Sequence, residues 1–547
     1  MARVARGLNP SRWPWRHWIL AALILAGLVL FWLSPPTADT RPSSPSTKTQ
    51  ATSSIVPDVI TAPNLDPESP LALAQLSVDA LLARQSRTLS RAVARYSLRA
   101  GRSPPPNYDK WFSFAQEHKC LIDEYDQIHR DFEPFYELAR DNPIHFSSMI
   151  DRAREQMLRE AMGLISPRKQ EAIGLTTINI KNGKTVMAPY RGTPYSKDDL
   201  PITLRNFNFI LPDMEFFLNG RDEPRVVFNH REPGAFDRAN NVSDPNPFHI
   251  APHPTSDWFK ERNGCSPLSS TKGFARDGSS DIPFLQSSSS SDFTLDLWPL
   301  LSMTKISPCF SDILFPGQYY YRKSRWSLKL KPDDIAWSNK ISQLFWRGAS
   351  NGGHIVGQNY RSFPRFRLIE LARKHSDLIN AQLTHFPDGH CTADCDRLGI
   401  IAEYNITGIR VSRNEVLKYK YLLDVDGNTF SGRFLSLLRS GSLVFKVYCT
   451  RAHLCARADW FSKSTVFEEY FNDWLRPYEH YIPVRPDLSD LVERVHWAMK
   501  HDDEARRIQE TGKLFVERVV TDSQNDCYFA LVLLEWARLQ HNATATF

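Results

Sequence analysis

The sequence has no strong excess of charge of either sign. Lys and Arg number 67 against 61 Asp and Glu, a formal net charge of +6 over 547 residues. So small a surplus excludes a chain-wide electrostatic footprint for nucleic acid. Much of it lies early, in Arg84, Arg87, Arg91, Arg95, Arg99 and Arg102, which read as a solvated basic helix. There is no internal repeat, and the glycine turns follow neither the Walker nor the GxGxxG spacing. Cysteine is sparse, with eight residues, and "HCTADC" (His390, Cys391, Cys395) lacks the second tight pair of a zinc ribbon.

One long apolar run stands out, "WILAALILAGLVLFWL" from Trp18 to Leu33. As a helix it spans about 24 Å, short for an average bilayer and workable in a thin one. Arg3, Arg6, Arg12 and Arg16 precede it, Trp13, Trp15, Trp18 and Trp32 border it, and bulky "FWLSPP" follows it instead of a small-residue cleavage site. The expectation is a retained signal anchor of type II topology. It has a cytosolic tail (1–17), a transmembrane helix (18–33) and a lumenal remainder in the Golgi or endoplasmic reticulum membrane. Sequons at Asn241, Asn405 and Asn542 suit that compartment. So do disulfides, whose connectivity the spacing leaves open.

Residues 34–67, rich in Ser, Thr and Pro, cannot bury enough apolar surface to fold and read as a stem. Helical periodicity follows from about Pro70 to Arg99, and "GRSPPPNYDKW" ends it. In the body, strand-like runs ending in Gly or Ser alternate with helical stretches, which predicts α/β architecture with parallel sheets. Such folds bind ligands at the carboxyl ends of their strands. "LQSSSSSDF" at 285–293 reads as a surface loop.

Four segments carry chemistry-bearing residues. In "FWRGASNGG", a strand delivers Arg347 to a turn of Gly348, Ala349, Ser350 and Asn351, suited to a diphosphate; an ordinary turn with a surface Arg is the competing reading. "YLLDVDGNTFSGRF", 421–434, offers Asp424 and Asp426 as a D-x-D metal site, or Ser431 and Arg433 as an anion site at a helix start. A calcium loop fails there, because its twelfth position is Leu435. "LPDMEFFLNGRDEP" ends a strand at Asn219-Gly220 and presents Asp222, a candidate general base, with Asp213 and Glu215 as rivals and a surface Arg–Asp pair as the alternative. In "EEYFNDWLRPYEHYIPVRPDLSDL", Asp487 and Ser489 read as a capping turn, and Trp474, Tyr478 and Tyr481 as core or sugar-stacking aromatics, with His480 open between structure and function.

Taken in order, the segments are similar to the capsule-associated-protein and protein O-glucosyltransferase family, most of all its fungal capsule-associated branch. The resemblance rests on "PPPNYDKWFSFAQEH" (104–118), "LPDMEFFLNGRDEP" (211–224), "SDILFP" (311–316), "FWRGAS" (345–350), "YKYLLDVDGNTFSGRF" (419–434), "GSLVFK" (441–446) and "LRPYEHYIPVRPDLSDL" (475–491). It implies a GT-B fold, two Rossmann-like domains facing a cleft, here 106–335 on the acceptor side and 336–547 on the donor side, after a stem and juxtamembrane helix (34–105). It implies inverting transfer of xylose or glucose from UDP-xylose or UDP-glucose to a glycan or glycoprotein hydroxyl, with no metal cofactor. Asp222 would be the base, and Arg347, Gly348, Ser350, Gly427, Ser431 and Arg433 would bind the donor. In that setting Asp424 and Asp426 hold the turn. The "SRTS" of animal O-glucosyltransferases is replaced by "ASNGGH", which leaves donor sugar and acceptor open. The alternative from another class is a catalytically silent lumenal glycan-binding scaffold of the same fold.

Overall fold

Two local signals start the described fold. Ser69 accepts a hydrogen bond from Ala72 N and Pro70 takes the first helical position, so a helix runs from Pro70 to Ala83. Thr88 caps the next helix, Leu89–Ala100, which Gly101 ends in the left-handed region at φ 65°. The computed structural model describes residues 69–161, 175–187, 199–231, 234, 236, 248–250, 292–294, 297–307, 310–322, 335–352, 355, 357–388, 391, 395–408, 411–447 and 467–545. The apolar run at 18–33, the stem, most of the Ser-rich loop, Asn241 and His390 lie outside them. Among the described residues no helix is long and apolar enough to cross a membrane.

Arg84, Arg87, Arg91 and Arg99 are exposed, as expected of a solvated basic stretch, and several of the early arginines also form ion pairs. Arg84 pairs with Glu124 at 3.1 Å, Arg95 with Asp123 at 2.7 Å and Arg99 with Asp126 at 3.2 Å. Those acids open the helix Asp126–Asp141 and its preceding turn, a sequence-distant partner that periodicity does not reveal.

Two five-stranded sheets carry the body. In the first, β1 (Leu175–Lys181), β2 (Lys184–Met187), β3 (Met214–Asn219), β6 (Leu300–Ser302) and β7 (Ile313–Leu314) lie in the order β2-β1-β3-β6-β7. The short β4 (Phe248–Ile250) and β5 (Asp292–Thr294) pair apart. The first sheet is parallel from β3 to β7 but antiparallel at β1. Its hairpin is dictated by Asn182-Gly183, both at positive φ (48° and 68°), the two-residue turn that matches strand twist.

The second sheet is wholly parallel. It contains β8 (Ile341–Ala349), β9 (Ile379–His385), β10 (Tyr419–Asp424), β11 (Leu443–Val447) and β12 (Ile482–Val484), in the order β12-β11-β10-β8-β9. All six β10 residues are buried, as a strand covered on both faces requires.

The last helix, Asp522–Ala545, follows the second sheet in sequence and packs on the first. Trp536 Nε1 donates to Glu215 O at 2.8 Å, and Trp111 Nε1 donates to Cys527 O at 2.8 Å. A disulfide between Cys120 and Cys527 staples this helix to the early helical layer. Cys391 is bonded to Cys395, which takes both sulfurs away from a zinc site. Both sheets belong to one compact unit, Asn64–Phe547.

Candidate active site

Asp222 sits in a loop whose shape is set by buried polar groups at the end of β3. Asn219, fully buried, donates through Nδ2 to Glu223 O (2.6 Å) and Ser302 Oγ (3.0 Å), and its Oδ1 accepts from Arg221 N (3.1 Å). Ser302 donates to Asp312 Oδ1 at 2.5 Å. The same carboxylate accepts the N–H groups of Arg225 and Val226, each at 2.9 Å. The "NGRDEP" turn is thereby fixed, and Asp222 is presented half-buried. Burial raises its pKa, while a hydrogen bond from Tyr319 OH at 3.3 Å acts the other way. The neighbouring Glu223 is pushed up to about 7, first by burial and then by the Asp222 charge. The rivals are engaged elsewhere: Asp213 Oδ1 accepts from Asn182 N at 2.7 Å, and Glu215 pairs with Arg154.

The donor-side residues gather at the carboxyl ends of β8 and β10. Gly348 has to be glycine, because a Cβ there would lie 2.6 Å from the Trp346 indole. Ser350 is fully buried, its N–H donates to His385 O at 2.9 Å, and its Oγ has no hydrogen-bond partner among the described residues. Arg433 Nη1 donates to Arg347 O at 2.9 Å, and Arg433 Nη2 is buried with no hydrogen-bond partner among the described residues. Burial lowers the Arg433 pKa against the supporting Asp424 charge.

The Arg347 side chain points differently. It lies 4.5 Å over the Phe345 ring and donates to Asn380 O (2.8 Å) and Asn380 Oδ1 (2.7 Å), so its guanidinium is tied to β9 rather than to the turn it opens. What Arg347 contributes to Arg433 is its carbonyl.

The Asp424–Arg433 segment resolves into a braced turn. Lys446 Nζ donates to Asp424 Oδ2 at 2.9 Å and Ser431 Oγ to Asp424 Oδ1 at 2.5 Å, all of it buried. The Ser431 hydroxyl is thus spent on the turn. Asp426 is half-buried, and burial pushes its pKa up to about 7. Gly427 lies against Arg365, whose Nη2 would be 3.3 Å from a Cβ at that position. The helix after Arg433 is only Phe434–Leu438, one turn, so its dipole adds little.

Three residues here escape sequence reasoning. Arg365, buried at the start of the helix Pro364–Lys374, donates to Asp426 O (2.9 Å), Ala349 O (2.9 Å) and Val425 O (3.2 Å), tying the two turns together. Its pKa is lowered to about 9, by burial first and Arg433 second. Trp346 is a floor beneath both cations, with the Arg365 and Arg433 guanidinium carbons 5.6 Å and 5.8 Å from its ring. Tyr319 touches both halves of the site. The one signal for Arg365 is an arginine just after a helix-starting proline; Trp346 and Tyr319 carry none.

The C-terminal aromatics are core. Trp474 and Tyr481 are buried, and Trp474 Nε1 donates to Glu124 O at 2.7 Å. His480 accepts from Arg476 N at 2.8 Å, and burial lowers its pKa to about 4. Tyr478 alone of the three aromatics is exposed. Asp487 Oδ1 accepts from Ser489 N at 3.1 Å, the expected capping turn. Of the sequons, Asn405 is exposed just past the helix Arg397–Glu403, and Asn542 lies within the last helix.

Residues 279–545 match Glycosyl transferase family 90. Among curated relatives, the chain is 31% identical over 204 residues to protein O-glucosyltransferase 2 of Danio rerio, covering 37% of this chain and 34% of the relative. It is 28% identical over 266 residues to human protein O-glucosyltransferase 1, covering 45% and 59%, and 26% identical over 206 residues to human protein O-glucosyltransferase 3, covering 38% and 34%. The chain therefore spans between about a third and three fifths of the length of these relatives. The matched region includes the β8 and β10 turns and Tyr319; Asp222 lies before it.

Proposed function

We propose that the chain is an inverting glycosyltransferase that moves xylose or glucose from a UDP-sugar to a hydroxyl of a glycan or glycoprotein. The observation that carries the reading is the meeting of Asp222 with the Gly432-Arg433 turn through one side chain, Tyr319. A base and a cationic turn that stand a tyrosine apart can serve the two ends of one displacement.

In that displacement Asp222 takes the proton of the acceptor hydroxyl. The oxygen forms its bond to the anomeric carbon as the bond to the β-phosphate oxygen breaks, and UDP leaves with the bonding pair. One carboxylate opposite the leaving group suffices for inversion. The charge growing on UDP is met by Arg433, whose Nη2 makes no hydrogen bond among the described residues, by the buried Ser350 hydroxyl and by backbone N–H groups of the turns. A metal is not required in this reading, because Asp424 is already bonded to Lys446 and Ser431.

The two sheets are taken as the facing Rossmann-like halves of a GT-B enzyme, divided near residue 335. The apolar run at 18–33 is taken as its anchor in the Golgi or endoplasmic reticulum membrane, with no nucleic-acid partner. The relatives' names, protein O-glucosyltransferase, support sugar transfer to protein.

A donor screen on the full-length chain tests the reading through UDP release from UDP-glucose and UDP-xylose, with and without excess EDTA. Release from one of them that persists in EDTA is expected. No release from either leaves the silent scaffold, and loss in EDTA returns Asp424 and Asp426 to metal binding.

A further inference from the structure

We propose that Tyr319 is a positioning residue that holds the Asp222 carboxylate in register with the Gly432-Arg433 turn, so that the acceptor proton is taken against a seated donor. The inference rests on Asp222 as the base.

Tyr319 belongs to a short 3-10 turn, Gln318–Tyr320, just after β7 of the first sheet. The backbone of that turn is held on both sides. Gly317 comes so close to Met303 that a Cβ would lie 2.5 Å from its sulfur. Tyr320 is buried with its ring against Phe471 (5.1 Å) and Tyr470 (5.7 Å), and its carbonyl accepts from Asn525 Nδ2 at 3.2 Å. From this fixed base the Tyr319 ring crosses to the second sheet's turn. It meets Phe430 edge-on at 5.8 Å and lies on the Gly432 backbone, where a Cβ would come within 2.9 Å of the ring.

Gly432 has no positive φ, so glycine is needed there for close approach and not for conformation. At its far end the phenol reaches Asp222 Oδ1. One side chain thus contacts both the base and the residue preceding Arg433, and each contact fixes the other by geometry. Among the described residues, the Asp222 charge acts on the adjacent Glu223, which Arg225 and Arg221 of the same loop also influence.

Tyr319→Phe keeps the ring and removes the hydroxyl. A hydrogen bond to the charged carboxylate favours ionisation, so its loss moves the acid limb of the kcat profile to higher pH, by roughly half a unit. The rate of UDP release at pH 6 falls several-fold, and the KM for the donor stays within twofold. Gly432→Ala displaces the ring from the other side, moving the same limb the same way and raising the donor KM as well. Thermal melts report folding, and either variant decides if the other fails to fold. An acid limb and kcat unchanged in a folded Tyr319→Phe, while Asp222→Asn abolishes turnover, overturns the Tyr319 role and leaves the base in place. Turnover surviving in Asp222→Asn overturns the base and this inference with it.

Discussion

Lys446 and Asp424 form an ion pair of 2.9 Å in which both side chains are buried. The pair joins neighbouring strands β10 and β11, where these two residues stand directly opposite. Ser431 takes the second carboxylate oxygen, and the Lys446 ammonium lies 4.1 Å over the Phe434 ring. The turn that carries Arg433 is therefore suspended from a buried charge pair.

Lys446→Met would remove one partner and leave a buried carboxylate uncompensated. The expected loss is about 3–5 kcal/mol of stability, because stranding one charge costs more than losing the pair. Urea unfolding of the variant measures it. A loss below about 1 kcal/mol would show that Asp424 finds another partner.

Arg433→Ala and Arg347→Ala should differ. A charge-assisted hydrogen bond contributes about 1.5–3 kcal/mol, so Arg433→Ala should weaken UDP binding by roughly ten- to a hundredfold in calorimetric titration. Arg347 is occupied by Asn380, and its removal should weaken UDP several-fold at most. The reverse ranking would mean that Arg347 swings into the turn when the donor binds.

Asp222→Asn should leave UDP affinity within about twofold and lower turnover by about a hundredfold or more, since removing a general base typically costs 10²–10⁴. Calorimetry and UDP release on the same preparation separate the two effects. Near-normal turnover would take Asp222 out of the mechanism.

Stability should fall as pH rises through neutrality. Glu223, Asp426, Asp526 and Glu535 are each raised to about 7, with burial the largest cause. Unfolded carboxylates titrate near 4, so the folded chain holds extra protons between about pH 4 and 7. The stabilisation is complete below the unfolded value and is lost as pH passes the folded one. Melting temperatures should therefore rise from pH 8 to pH 5.5, and Glu535→Gln should flatten part of that slope. A melting temperature that drops over the same range would contradict these protonation states.

Much of the local architecture was legible beforehand. β3, β8, β10 and β11 lie where apolar runs end in Asn-Gly, Gly-Ala-Ser, Asp-Val-Asp and a lysine. The second sheet is parallel, as the alternation of strands and helices implies. The Asp487–Ser489 turn also follows from short-range preference alone. Asp222 stands in the sequence at a strand-end turn and Arg433 at a helix start, and both are local properties. The Arg347 side chain was not legible, since its direction depends on Asn380 in the neighbouring strand. Nor was Arg365, whose three acceptors are carbonyls of two separate turns.

The sequence by itself determined where strands stop and helices start, through Ser69, Thr88, Asn182-Gly183 and the glycine turns, because caps and turns involve residues a few positions apart. Tertiary structure alone decided which of those ends meet. It bonded Cys120 to Cys527 across 407 residues, laid the last helix on the first sheet, paired the early arginines with Asp123, Glu124 and Asp126, and set Tyr319 between Asp222 and Gly432. Such contacts join segments far apart in the chain. The free energy that selects them comes from burial and close packing of the whole core, which no local pattern encodes.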